Sequence, residues 1–232
     1  MIAIISDIHG NYPALRAVLS ELDRMKPKLV LCLGDIAGYY CLLNECIDAL
    51  RERPIIRLLG NHDYYLTTAT GCARSRTANY CLEYQARHIT EDRLRWLAEA
   101  SSIYEEPGLS AVHGGWDDPL DEYVARVSEE YFARQSGGPC FVSGHTHVQV
   151  LVKMEHAVYC NPGSVGQPRD GDPRAAFATF EDHAFNLHRV EYDIEEMANA
   201  MKLAGFDPYV YENLFKGTRI GGGISRVKTI AE

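Results

Sequence analysis

Two aspartates (Asp7 and Asp35), one asparagine and five histidines, with Asp63 next to them, stand in five short motifs: Asp7-Ile8-His9, Gly34-Asp35, Gly60-Asn61-His62-Asp63, His113-Gly114 and Gly144-His145-Thr146-His147. Imidazole nitrogens, carboxylate oxygens and an amide oxygen form a mixed donor set that suits Mn, Fe, Zn or Ni and not calcium. Asp7 and His9 are separated by one residue, as are His145 and His147. On an extended chain such pairs point the same way, so each pair could clamp one ion. The set is large enough for two ions about 3.5–4 Å apart, which together grip the attacking and leaving oxygens of a phosphoryl displacement. Each piece alone also has a bland reading, as a turn, a helix cap or a hairpin edge. Five pieces in order, each where an apolar run stops, are not explained as turns.

The elements that must carry these residues are legible from the apolar pattern. Ile2 to Ser6, Leu29 to Leu33 and Ile55 to Leu59 are short apolar runs that read as buried strands. Between them, Asn11 can cap a helix with Pro13 in its first turn and Leu15, Val18, Leu19 and Leu22 at helical spacing. A second helix carries Leu43, Cys46, Ile47 and Leu50. This β-α-β-α-β order predicts a parallel sheet with right-handed crossovers. Its strand ends converge on one crevice, where ligands bind in open α/β sheets.

Residues 64–100 read as a helical insert, with a pair of helices over Thr77–Arg87 and Thr90–Ala98. Short strands resume at Leu109–Val112, Phe141–Ser143, Val148–Val152, Val158–Cys160, Ala175–Phe180 and Phe185–Val190. The tight turns between them predict a mainly antiparallel or mixed second half. Asp193 can cap a last helix ending near Leu203. Residues 206–232, with Gly217 and the Gly221–Gly223 run, read as an extended tail. The expectation is one domain over 1–232.

The chain carries 23 Lys+Arg against 32 Asp+Glu, a net charge of −9. That balance argues against a general nucleic-acid or membrane-surface binder, which needs a basic face. Two divalent ions would add four local positive charges, so a phosphate ligand stays compatible with an acidic chain. Seven cysteines without a C-x-x-C pair point to free thiols and a reducing, cytoplasmic setting. The start, MIAIISD, lacks the basic and apolar regions of a signal peptide. No apolar run approaches the ~20 residues of a membrane helix.

As a set, the five motifs resemble the calcineurin-like metallophosphoesterases, over residues 1 to about 190. The resemblance implies a four-layer α/β/β/α sandwich of two mixed sheets with a dinuclear metal site at the strand ends. By motif, Asp7, His9, Asp35 and His147 would hold the first divalent ion. Asp35 would bridge to a second, held also by Asn61, His113 and His145, with manganese the first expectation. Asn61 and His62 would contact the substrate, His62 as the acid for the leaving oxygen, and a metal-bridging hydroxide is the implied nucleophile. Gly34-Asp35-Ile36-Ala37-Gly38-Tyr39, Asn44-Glu45-Cys46 and Asn161–Arg169 are similar to the small bacterial and archaeal phosphodiesterase-type members. Tyr40-Cys41-Leu42 departs from the Gly/Pro-rich loop of that branch. Protein Ser/Thr phosphatases carry Asp-Arg-Gly after the Gly-Asp motif, where this chain has Ile36-Ala37-Gly38.

These residues predict a metal-dependent phosphoesterase acting on small phosphodiesters or phosphomonoesters. A nucleotide or dinucleoside-polyphosphate hydrolase is the second reading, with Tyr39, Tyr64 or Tyr80 to stack a base. A silent scaffold, like the metallophosphoesterase-fold subunit of the retromer coat, is the third. Such scaffolds typically lose the catalytic His or several ligands, and all eight positions stand here. Arg169, in a stiff Pro/Gly-rich loop, reads either as a bidentate phosphate clamp or as a surface ion pair with Asp170 or Asp172. Arg74 and Arg76 read either as contacts to a second phosphate or a nucleotide, or as a solvated basic stretch. His88, His156, His183 and His188 stand singly and read as surface or packing residues.

Overall fold

The computed structural model describes residues 1–230. Strand β1 (Ile2–Ile5) leads into helix α1 (Tyr12–Met25), then β2 (Leu29–Cys32), α2 (Leu43–Arg51) and β3 (Ile55–Arg57). Three helices follow, α3 (Asn61–Thr68), α4 (Arg76–His88) and α5 (Glu91–Ala98). The second half runs β4 (Ile103–Glu106), β5 (Leu109–Val112), β6 (Arg126–Val127), α6 (Glu129–Ala133), β7 (Cys140–Ser143), β8 (Gln149–Lys153) and β9 (Val158–Pro162). It closes with β10 (Ala175–Glu181), β11 (Ala184–Val190), α7 (Ile194–Leu203) and a short β12 (Lys228–Thr229).

Local chemistry explains the frame. The Asn11 side chain accepts from Ala14 N at 3.2 Å and starts α1, whose Leu15, Val18, Leu19 and Leu22 form one buried stripe. β1, β2 and β3 pair in parallel, and antiparallel β10 and β11 complete a five-stranded sheet ordered β11-β10-β1-β2-β3. The second sheet, ordered β4-β5-β7-β9-β8, has parallel β5, β7 and β9 flanked by antiparallel edges. Ile4 and Leu31 from one sheet meet Ala111, Val142 and Cys160 from the other in a shared apolar layer. α1 and α2 cover the outer face of the first sheet, and Phe132 of α6 with Trp116 covers the second. The four-layer α/β/β/α sandwich follows, with two sheets of mixed direction.

Three segments differ from expectation. The helical region starts earlier, with α3, whose buried residues are Asn61, His62, Asp63 and Leu66. A helix that buries polar residues carries no apolar period, so pattern reading passes over it. β4 is half exposed and carries Glu105 and Glu106, which hides an edge strand. The segment after α7 is not extended over its first half. Residues 208–210 and 212–216 form two 3₁₀ turns, and Phe206, Val210, Tyr211 and Leu214 pack on Met197 and Met201. A hydrogen-bonded turn at Arg219–Gly223 follows before the chain runs on to β12, and the last two residues of the predicted tail lie outside the described residues.

Among the described residues, no helix is long and apolar enough to cross a membrane. All seven cysteines are free thiols.

Candidate metal centre

The parallel strands deliver the motif residues to one place. Asp7 and His9 follow β1, Asp35 follows β2, and Asn61 and His62 open α3 after β3. His113 follows β5, and His145 and His147 follow β7. All eight side chains are buried. Backbone bonds lock the loops together: Asp7 N donates to Gly34 O at 3.0 Å, His9 N to Asp35 O at 2.9 Å and Gly144 N to His113 O at 2.9 Å.

Two donor groups result. One ligand atom each from Asp7, His9, Asp35 and His147 lie within 4.8 Å of one another, and so do those of Asp35, His113 and His145. Asp35 belongs to both. Its Oδ2 stands 3.6 Å from His9 Nε2 and 3.6 Å from His113 Nε2. Its Oδ1 accepts from His62 N at 2.8 Å. The Asn61 Oδ1 faces His113 Nε2 at 3.1 Å, which adds an amide oxygen to the second group.

The paired-motif expectation holds only in part. Asp7 and His9 share a group, but His145 and His147 divide between the two. The geometry is also not that of an extended chain. Asp7, His9, Asp35, His145 and His147 all have positive φ, between 52° and 63°. Side-chain-bearing residues rarely adopt that region, although Asp and His do so more than most. Each such residue costs about 1–3 kcal/mol, strain that gathers where a site dictates the backbone. Gly60 and Gly38 are needed nearby, because a Cβ would run into Asp35 and the His9 ring respectively.

The donor set suits cations. His9 Nδ1 meets Ala37 O at 2.8 Å, His113 Nδ1 meets Leu33 O at 3.0 Å, and His147 Nδ1 meets Gln167 O at 2.7 Å. A carbonyl only accepts, so each Nδ1 holds the proton and each Nε2 turns a lone pair inward. His9 Nε2 and His147 Nε2 then face each other at 3.1 Å, an opposition that a cation between them relieves. Asp7 Oδ1 and His145 Nε2 are buried without a hydrogen-bond partner. Burial holds the imidazoles of His9, His113, His145 and His147 below their ordinary range, in the neutral form that ligates metal. Burial, with Asp63 and Asp7 close by, pushes the Asp35 carboxyl well up.

A cavity of about 600 Å³ opens beside this centre, with Asn61, His62, Tyr39, Gln167 and Arg169 on its wall. The His62 ring lies 4.9 Å from that of His9, and its Nδ1 is buried without a partner. Arg169 is buried, not a surface ion pair. Asp170 pairs with Arg189 and Asp172 with Arg174, while Arg169 donates from Nε and Nη2 to Gln167 Oε1 at 2.9 and 2.5 Å. Arg74 lines the cavity and pairs with Asp121; Arg76 is exposed on α4.

Of the tyrosines proposed for stacking, Tyr39 lines the cavity. Tyr64 is exposed beside Tyr65, and Tyr80 packs edge-on to Phe206 at 5.2 Å. Tyr123 and Tyr209 line it instead, and no local pattern marks either. Tyr40 is interior: its hydroxyl takes Gln167 Nε2 at 3.0 Å and Asn213 Nδ2 at 3.3 Å, which accounts for the departure at Tyr40-Cys41-Leu42. His88, His156, His183 and His188 stand outside the donor groups.

Sequence reading also missed the groups that hold the loops. Asp63 accepts from Ala37 N at 2.8 Å and Gly60 N at 3.2 Å. Gln85 of α4 accepts from Gly38 N at 2.9 Å and donates to Tyr40 O at 2.7 Å. Asp63 stood inside a quoted motif, so its signal was present; Gln85 had none.

Fold and centre together define a two-sheet phosphoesterase scaffold with a buried site suited to divalent cations. Residues 1–183 match the calcineurin-like phosphoesterase superfamily domain, and the chain belongs to that family. It is 31% identical over 251 residues to an uncharacterized protein, MJ0912, of Methanocaldococcus jannaschii, covering 94% of this chain and 98% of that one. A metallophosphoesterase from Sphaerobacter thermophilus superposes with a TM-score of 0.82 at 32% identity, over 94% of this chain and 99% of its own. PH1004 of Pyrococcus horikoshii OT3 has a TM-score of 0.86 at 19% identity, over 94% and 100%, a likeness of fold alone.

Proposed function

We propose that the protein hydrolyses small phosphate esters, diesters or monoesters, with two divalent transition-metal ions. The observation that carries this reading is the pair of donor groups sharing Asp35 at the edge of the cavity. Asp7, His9, Asp35 and His147 would hold one ion, and Asp35, Asn61, His113 and His145 the other, with manganese first among candidates. Such a pair, when bound, supplies Lewis acidity to the phosphate oxygens and acidifies a water to the nucleophile.

The chain's own residues do the rest. His62 is neutral in the free protein, because burial and the Arg169 charge push its pKa down to about 3. An anionic ester beside the ring favours the imidazolium. His62 then gives its proton to the leaving oxygen as the P–O bond breaks and takes another from solvent. Arg169, oriented by Gln167, binds the phosphate oxygens with its remaining N–H groups.

The test is metal analysis of the full chain together with turnover of bis(p-nitrophenyl) phosphate and p-nitrophenyl phosphate in Mn, Ni, Mg or EDTA. Two ions per chain and EDTA-sensitive turnover are expected. Metal binding without turnover of either ester would favour the scaffold reading.

A further inference from the structure

The family match ends at residue 183, but the cavity wall does not. Tyr209, Arg219 and Ile220, from the segment after α7, line it with Tyr39, Arg74 and Arg169. The lining holds three arginines and no aspartate or glutamate. In a chain of net charge −9 that local excess is not set by composition. A concavity lined by one sign of charge concentrates ions of the opposite sign.

The three arginines are not equivalent. Arg169 stands beside the donor groups, and the Arg74 charge is matched by Asp121. Arg219 has no carboxylate partner among the described residues; its Nε donates to Ser225 Oγ at 2.7 Å, and its terminal N–H groups have no protein acceptor there. The turn that carries it is built. Arg219 N donates to Gly223 O and Gly222 N to Arg219 O, both at 2.8 Å, with Gly221 and Gly222 at φ +90°, a conformation that favours glycine. Ser225 N donates to Arg169 O at 2.7 Å, which ties the turn to the other arginine's backbone. The glycine run that read as tail is therefore the frame of a turn that sets an exposed arginine on the cavity wall.

The volume of about 600 Å³ is that of a pocket for a whole organic ligand, not for one phosphoryl group. Tyr39, Tyr123 and Tyr209 put aromatic rings on its wall. We propose that Arg219 is a specificity-determining residue that binds a second phosphate, remote from the one at the metal centre, on a ring-bearing substrate of the nucleoside diphosphate or bisphosphate class. The inference rests on the phosphoesterase reading above.

The test is calorimetric binding to the Mn-loaded full chain of two adenosine phosphonates that lack a scissile ester oxygen, one with a single phosphorus group and one with two. The two-phosphorus compound should bind about 10-fold or more tighter, the scale of a charge-assisted hydrogen-bonded pair. Arg219→Ala should remove most of that preference, and Arg219→Lys should keep part of it as a point charge without the fork. Equal affinity for the two compounds in the unaltered protein, or the same preference in Arg219→Ala, would overturn the proposal. Failure of the phosphoesterase reading looks different: neither bis(p-nitrophenyl) phosphate nor p-nitrophenyl phosphate is then hydrolysed with Mn.

Discussion

Asp35 places a single oxygen, Oδ2, 3.6 Å from a histidine of each donor group, while Oδ1 is engaged by His62 N–H. Asp35→Asn keeps the size and the backbone bond but removes the negative charge that two cations would share. Metal content should fall below two per chain. Turnover should fall by more than the roughly 10–100-fold that outlying partners of a metal site cost. Retention of both ions with most of the turnover would remove the bridging role. His62 is different, because its ring faces the cavity and its Nδ1 has no partner. His62→Asn should retain metal and slow turnover by about 10²–10⁴-fold, the usual loss for a general acid. The defect should shrink for esters with good leaving groups; a defect independent of the leaving group would end the acid assignment.

At the scale of elements, the centre depends on how α3 and α4 hold the loops after β1 and β2. Asp63, in the first turn of α3, receives N–H groups from Ala37 and Gly60, on either side of Asp35. Asp63→Ala leaves both donors buried without a partner, at about 1–3 kcal/mol each. Metal affinity should weaken about 10–100-fold, measured by titration of the stripped protein, together with a lower midpoint in urea. A stability loss with unchanged metal affinity would make Asp63 a fold residue only.

For the whole molecule, the buried titratable cluster ties stability to pH. His9, His62, His113, His145 and His147 all have depressed folded-state pKa values, so below about 6.5 the unfolded chain binds protons that the folded chain refuses. Their contribution is present above that pH and is lost as pH falls. Asp35 and Asp63, the latter pushed up to about 6 by burial, act in the opposite sense above about 3.8. Five imidazoles outnumber two carboxyls, so the Tm of the EDTA-stripped protein should rise between about pH 5 and 6.5. A flat or falling Tm would mean that the imidazoles take up protons in the folded state.

The sequence by itself determined the two kinds of information that are local. Apolar runs ending in Gly-Asp or Gly-Asn-His-Asp named the strands and the residues at their tips, because a strand buried on both faces and a ligand at its end both leave short, contiguous signals. The parallel β1, β2 and β3, the Asn11 and Asp193 caps, and the gathering of Asp7, His9, Asp35, Asn61, His113, His145 and His147 were all readable that way. The tertiary structure alone decided what depends on distant contacts. The division of His145 from His147, which the motif resemblance implied and spacing alone did not, is set by the distant groups each faces: Asp35 and His113 for His145, Asp7 and His9 for His147. The burial of Arg169 follows from Asp170 and Asp172 pairing elsewhere, with Arg189 and Arg174. Tyr123, Tyr209 and Arg219 reach the cavity from segments with no periodic pattern, and only the packing of the chain after α7 brings Tyr209 and Arg219 to its wall.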